Sequence, residues 1–216
     1  MFRRARGFVP SPIPLVSKGP NVLGLGPELK TTLCLTKRNQ AFVSQHIGDV
    51  HNLATYMFYQ QSIRHMQDVL QTAPQALITD LHPDFLTTRY AAEQNELPVF
   101  ALQHHLAHIL AVVTETQFLE PCLGLALDGT GLGLDHTLWG GELLYVHPQT
   151  MDFARLGHFS PIFLPGGEKA ISEPWRTAQS FLYTLGEKTP KGRDWPWLEN
   201  CSSASDIVGQ MLDKEV

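Results

Sequence analysis

Asn21-Val-Leu-Gly-Leu-Gly26, Thr32-Leu-Cys-Leu-Thr36 and Gln40-Ala-Phe-Val-Ser44 are three short β-prone runs separated by turn-compatible residues. Strands this close in sequence are joined by hairpins. Downstream the period changes. Between Asn52 and Thr72 the apolar residues Leu53, Tyr56, Tyr59, Ile63, Met66 and Leu70 recur at three- and four-residue intervals, which predicts an amphipathic helix ended by Pro74. Residues 76–79 then read as a buried strand, 86–95 as a helix, 99–103 as a strand and 104–116 as a helix.

Three hairpin strands followed by α-β-α-β-α is the element order of a ribonuclease-H-like α/β layer. A second set follows: strands at residues 122–127, 137–146 and 153–158, then a helix at 174–185 whose Pro174 suits a first turn. The strings Val22-Leu-Gly-Leu-Gly26 and Cys122-Leu-Gly-Leu-Ala126 are alike. The expectation is therefore a duplicated ribonuclease-H-like fold of the actin-like and sugar-kinase-like ATPase superfamily, with the first unit complete and the second truncated after its first helix. In that superfamily a nucleotide sits between the halves. The expected division is a linker at 1–20, a first unit at 21–120, an incomplete second unit at 121–186 and an irregular tail at 187–216 with one helix at 204–212. Pro10, Pro12, Pro14 and Pro20 occupy the place where an export signal would need an apolar core, so the start reads as extended linker. An unfinished second half is expected to leave apolar strand edges exposed.

Composition removes several classes of function. With 43% hydrophobic and 17% charged residues in 216, the chain supports a packed core rather than global disorder. A net charge of -5 argues against nucleic-acid backbone binding as the main task. No apolar run approaches a membrane span. The three cysteines, Cys34, Cys122 and Cys201, are too few and too scattered for a disulfide scaffold or a four-cysteine zinc site, and they suit a reducing cytoplasm. None has a histidine and an acid beside it in sequence, which disfavours a cysteine nucleophile. Ten histidines direct attention to metal or acid–base chemistry.

Gln103-His-His-Leu-Ala-His108 is the sharpest local signal. His104 and His108, four apart at a helix start, share one face and stand about one turn apart, a spacing that binds one divalent metal. The same spacing also fits exposed or core-satisfied histidines, and a metal needs a third ligand. Asp128, on the loop after the next strand, is the candidate. His105 points off that face and reads as a packing or hydrogen-bonding residue. Asp128-Gly-Thr-Gly-Leu-Gly133 ends a strand with three glycines. Small residues at Gly129, Thr130 and Gly131 would admit phosphate oxygens to the backbone while Asp128 holds a metal; the plainer alternative is a glycine-rich hairpin. A strand rather than a helix follows, which excludes the Rossmann fingerprint. Asp80-Leu-His-Pro-Asp84 ends a buried strand, where ligand sites gather in open α/β sheets. Lys30 on the first hairpin would suit a phosphate oxygen, whereas Glu28 and Arg89 read as solvated turn or surface ion-pair residues. Glu173-Pro-Trp-Arg176 reads as a helix start.

Together with Gly26-Pro-Glu-Leu-Lys-Thr-Thr-Leu-Cys-Leu35, Ser44-Gln-His-Ile-Gly-Asp49, Thr88-Arg-Tyr-Ala91, Trp139-Gly-Gly-Glu142 and Leu164-Pro-Gly-Gly167, these motifs recur in the order of a known family. From about residue 3 to 185 the chain resembles the carbamoyl-transfer domain of the HypF carbamoyltransferases of hydrogenase maturation. The resemblance implies a route in which carbamoyl phosphate yields carbamate, and carbamate and ATP form carbamoyl-adenylate. The matched domain then passes the carbamoyl group to the C-terminal cysteine thiolate of HypE, which dehydrates it toward the cyanide ligands of nickel-iron hydrogenase. It implies further that His104 and His108 hold a divalent metal, zinc or iron, with Asp128 and its glycines at the nucleotide phosphates.

The sequence departs from that family in extent. Neither its length nor its cysteines accommodate the acylphosphatase-like domain, the cysteine-rich zinc motifs and the adenylate-forming domain of whole members. A further acidic metal ligand and an adenosine-side glycine motif are also missing. The expectation is a fragment, split-gene product or degenerate paralogue, inactive alone and completed by other HypF domains or chains. Two alternatives stand beside it: a protein like the tRNA threonylcarbamoyl transferases, which carry a histidine pair of the same spacing, and a noncatalytic HypE-binding module. Net acidity, Asp80-Leu-His-Pro83 and Glu173-Pro-Trp-Arg176 favour the hydrogenase branch.

Overall fold

The computed structural model describes residues 11–186 and 202–214, which fall into two compact units dividing after Phe159. The basic start of the chain, and the segment containing Pro190, Trp195, Trp197 and Cys201, lie outside the described residues.

The first unit runs β1 (Ile13–Pro14), β2 (Val22–Gly24), β3 (Cys34–Lys37), β4 (Gln40–Val43), α1 (Leu53–Leu70), β5 (Ala76–Asp80), α2 (Leu86–Ala92), β6 (Val99–Leu102) and α3 (His104–Thr116). It continues through β7 (Cys122–Ala126), β8 (Gly131–Leu132), β9 (Leu138–Trp139), β10 (Glu142–His147) and β11 (Asp152–His158). Six strands form a mixed sheet in the order β1-β4-β3-β2-β5-β6. The hairpin strands pair antiparallel, and β2, β5 and β6 pair parallel through the α1 and α2 crossovers. This is the ribonuclease-H-like arrangement that the element order predicts.

Alternation explains the core. Leu23 of β2 and Leu25 just past it, with Leu35 of β3 and Leu33 just before it, are buried with Tyr59 and Ile63 of α1. Truncating one such leucine to alanine costs about 2–5 kcal/mol. Helix α1 starts where the Asn52 side chain accepts the N–H groups of Ala54 and Thr55, and ends at Gln71 in the left-handed region (φ +46°).

Helix α3 serves a second core. Its Leu106, Ile109 and Val113 pack with Ala126, Trp139, Leu144 and Val146 around the antiparallel sheet β11-β10-β7. A methyl group on Gly124 would collide with Ile109, so the glycine lets helix and sheet approach. Packing thus joins α3 to the strands that follow residue 120. The outer face of β7 leaves Leu123 and Leu125 exposed.

Two expectations need correction. Residues 13–14 of the expected linker are paired: Ile13 and Pro14 lie opposite Ala41 and Gln40 at the sheet edge. Proline is tolerated there because an edge residue need not donate to a further strand. The strand expected at 137–146 is two strands, broken at Gly140 and Gly141, where Gly141 turns with φ +67°.

In the second unit, α4 (Glu168–Ser172) follows Gly166 and Gly167, both at positive φ, where only a glycine turn was expected. Helix α5 (Pro174–Thr184) begins with proline as anticipated, and α6 (Ser202–Asp213) covers the helix expected at 204–212. Arg176 binds Glu173 at 2.6 Å and lies over the Trp175 ring. Gln179 and Ser205 exchange two buried hydrogen bonds that tie α5 to α6. No helix among the described residues is long and apolar enough to cross a membrane.

Candidate metal centre

Parallel pairing of β5 and β6 sets Asp80 opposite Leu102, and α3 begins two residues beyond, at His104. The register therefore brings a strand-end carboxylate to a helix-start imidazole. Asp80 Oδ2 lies 2.6 Å from His104 Nδ1, while its Oδ1 accepts the N–H of His82 at 2.9 Å. On the other side of the ring, His104 Nε2 is 2.8 Å from Asp128 Oδ2 and 3.3 Å from His108 Nε2. His108 Nε2 is also 3.3 Å from Asp128 Oδ2. The three side chains expected as ligands are thus brought together, with one ligand atom from each within 4.8 Å of the others.

Exposure is graded across the cluster. The Asp80 side chain is 6% exposed and that of His104 16%, whereas Asp128 and His108 are 43% and 56% exposed. The anchored side is inside and the ligating side faces solvent. Hydrogen bonds to Asp128 and then Asp80 lift the His104 pKa from 6.5 to about 9, against the opposing effect of burial. The same contacts, His104 first and His108 second, hold the Asp128 carboxyl well below the usual carboxylate range.

Two imidazole Nε2 atoms and a carboxylate oxygen form a donor set that zinc and iron(II) accept. With Asp80 on Nδ1, the Nε2 of His104 is the nitrogen turned toward the other two ligands. The residues present therefore fit a divalent ion.

His105, as expected, leaves this face. It is fully buried, its Nδ1 lies 3.2 Å from the Gln103 amide nitrogen, and burial pushes its pKa down. Gln103 also caps α3, its Oε1 accepting the N–H of Leu106 at 2.9 Å, and donates to the Leu132 carbonyl at 3.1 Å. One side chain thereby joins the helix start to the glycine hairpin.

The hairpin glycines have packing reasons. A methyl group at Gly131 would stand 2.8 Å from His104 Cβ, and one at Gly140 would strike the Gly129 carbonyl. Gly129 donates its N–H to Asp128 Oδ1 at 2.8 Å, and Thr130 beside it is half-buried. Lys30 is exposed and makes no ion pair among the described residues. Arg89 forms the expected exposed ion pair with Asp84. Glu28 departs from expectation: it is buried, and its Oε1 accepts the Leu86 N–H at 2.9 Å and lies 3.1 Å from His51 Nε2. The reason is local, because the cap position before α2 is Phe85, which has no side-chain acceptor, and Glu28 supplies one from a distant turn. Asp80 carries one signal in the sequence, its place at the end of a strand.

Comparison with known proteins shows the family. Residues 17–115 match the family described as HypF Kae1-like domain, and residues 124–216 match Carbamoyltransferase, Kae1-like Domain, second subdomain. The chain is 50% identical over 188 residues to the carbamoyltransferase HypF2 of Cupriavidus necator, covering 86% of this chain and 23% of that protein. It is 43% identical over 195 residues to the carbamoyltransferase HypF of Rhizobium leguminosarum bv. viciae, covering 90% and 25%. A crystal structure of full-length HypF in a phosphate- and nucleotide-bound form superposes with a TM-score of 0.84 at 34% identity, over 99% of this chain and 28% of that one. The fold and these matches define a Kae1-like α/β domain. The chain belongs to the HypF carbamoyltransferase family, and it spans about a quarter of the length of the relatives it matches.

Proposed function

We propose that this chain carries the metal- and phosphate-binding side of a carbamoyl-transfer site in nickel-iron hydrogenase maturation. Carbamoyl-adenylate is the donor and the C-terminal cysteine of HypE the acceptor. The observation that carries the reading is the convergence of His104, His108 and Asp128, with Asp80 behind His104, in a chain of the HypF family. Nucleotide and phosphate bound to the full-length relative support a nucleotide-derived donor.

The HypE thiolate attacks the carbamoyl carbon. A C–S bond forms, the C–O bond to the adenylate phosphate breaks, and AMP leaves with the electron pair. Zinc or iron(II) at the site would supply positive charge for the carbonyl and phosphate oxygens. His104 and His108 offer Nε2 to the ion and Asp128 offers Oδ2. Asp80 accepts the Nδ1 proton of His104 and fixes the ring. The backbone of Gly129, Thr130 and Gly131, and the Lys30 ammonium, meet phosphate oxygens. The work is cytoplasmic, where the thiols of Cys34 and Cys122 stay reduced. Other HypF domains or chains complete the site, and no nucleic acid takes part.

The test incubates HypE with carbamoyl-adenylate and this chain, alone and with the remaining part of a full-length relative, and follows the mass of the HypE C-terminal peptide. Carbamoylation in the complemented reaction, abolished by His104→Ala, is expected. Carbamoylation by the chain alone contradicts the need for completion. Equal carbamoylation with His104→Ala contradicts the role of the cluster.

A further inference from the structure

Glu142 is fully buried at the start of β10, in the sheet next to the metal cluster. Arg155 grips it with two parallel hydrogen bonds, Nε to Oε2 at 2.6 Å and Nη2 to Oε1 at 2.8 Å. The Arg155 guanidinium also lies 4.3 Å from the centre of the Trp139 ring. Trp139 in turn donates its indole N–H to Asp135 Oδ1 at 2.9 Å, so β9 and the turn of the β8–β9 hairpin are included in one network.

Alternation along β11 places Arg155 on the inward face with Phe153. Glu142 pairs with His158 and Leu143 with Gly157, but Leu144 pairs with Arg155, leaving Leu156 as the extra residue of a β-bulge. Arg155 thus lies opposite Leu144 on the inward face that Glu142 shares, while Leu156 is exposed.

From the carboxylate, contacts lead directly to a metal ligand. Glu142 Oε1 accepts the N–H of Gly140 at 2.9 Å. Gly141 donates its own N–H to the Asp128 carbonyl at 3.0 Å, and Gly140 is pressed against the Gly129 carbonyl so closely that a methyl group would not fit. The Asp128 backbone is thereby held from the far arm of the hairpin, while its side chain reaches His104 and His108.

We propose that Glu142 and Arg155 are positioning residues that hold Asp128 against His104 and His108 through Gly140 and Gly141. The proposal rests on the metal-centre reading above. A charged pair gripped by a fork has one geometry, and that geometry is transmitted through two short backbone contacts.

Glu142→Gln and Arg155→Leu are compared with the unmodified chain and with Ile63→Val, which loosens the other core. Cobalt(II) titration followed by visible absorption reads the site, and a thermal midpoint reads stability. Both clamp variants are expected to bind cobalt about tenfold more weakly, with an altered spectrum. Ile63→Val is expected to lower the midpoint and leave cobalt affinity unchanged. Unchanged cobalt affinity in the clamp variants, or equal weakening in Ile63→Val, overturns the proposal. If the unmodified chain takes up no cobalt, the metal reading fails, and hydrogen exchange at Gly140 and Gly141 decides the clamp. Faster exchange in Glu142→Gln upholds it; unchanged exchange overturns it.

Discussion

His104 and Asp80 meet at 2.6 Å, Nδ1 to Oδ2, because β5 and β6 run parallel in a register that ends both strands at the same level. The contact makes the ring a ligand with one nitrogen committed and the other directed. Asp80→Ala is expected to weaken zinc binding about 10- to 100-fold with no change of stoichiometry, measured by chelator competition. Unchanged affinity would show that His104 needs no such anchor.

Protonation gives the metal-free chain a distinctive pH profile. The His104 pKa is raised from 6.5 to about 9, so its contribution to stability is fully present below about pH 6.5 and lost as pH rises through about 9. Asp128 is depressed, so its contribution is present above the ordinary carboxylate pKa of about 4 and lost on acidification below it. Both shifts describe one ion pair, so the thermal midpoint should plateau between about pH 4 and 6.5 and decline toward pH 9. His104→Ala should remove the alkaline decline.

Metal affinity should move the opposite way over the same alkaline window. A ligating Nε2 must first lose its proton, so zinc should bind more tightly as pH rises from 6.5 to 9. Isothermal titration in two buffers of different ionisation heat should also report proton release. A pH-independent affinity would place the metal on other atoms.

Gly131 lies against the His104 side chain, where no methyl group fits without displacement. Gly131→Ala should cost about 1–3 kcal/mol in urea unfolding and weaken metal binding as His104 shifts. A neutral outcome would mean that the hairpin moves freely over the helix start.

Glu28 supplies the acceptor that the first turn of α2 lacks. Glu28→Ala should destabilise the chain by about 1–2 kcal/mol, read as a lower urea midpoint with unchanged slope. A loss under half that size would show that water replaces the carboxylate.

Local patterns made much of the fold legible. The hairpin runs, the three-four spacing from Leu53 to Leu70 and the proline at Pro174 each carry their instruction within a few residues. The histidine pair was equally readable, since four residues along a helix fix a shared face. Asp80 needed the parallel register, which links residues 24 apart and leaves no periodic trace. Glu28 reads as a surface acid until the uncapped start of α2, 58 residues away, is seen to require it. Arg155 takes the inward face by alternation with Phe153, but its partner Glu142 lies 13 residues away on another strand and leaves no local trace. Ile13 is β-prone but stands between Pro12 and Pro14, so no strand run shows, and the pairing follows from the open edge of β4.

Metal content per folded chain tests the central claim most directly. Elemental analysis of monodisperse protein, purified with zinc and iron available, is set beside the His104→Ala, His108→Ala double variant with matching circular dichroism. Close to one zinc or iron per chain, lost in the double variant, is the predicted result. A well-folded chain without metal, or a double variant that retains it, would contradict the account.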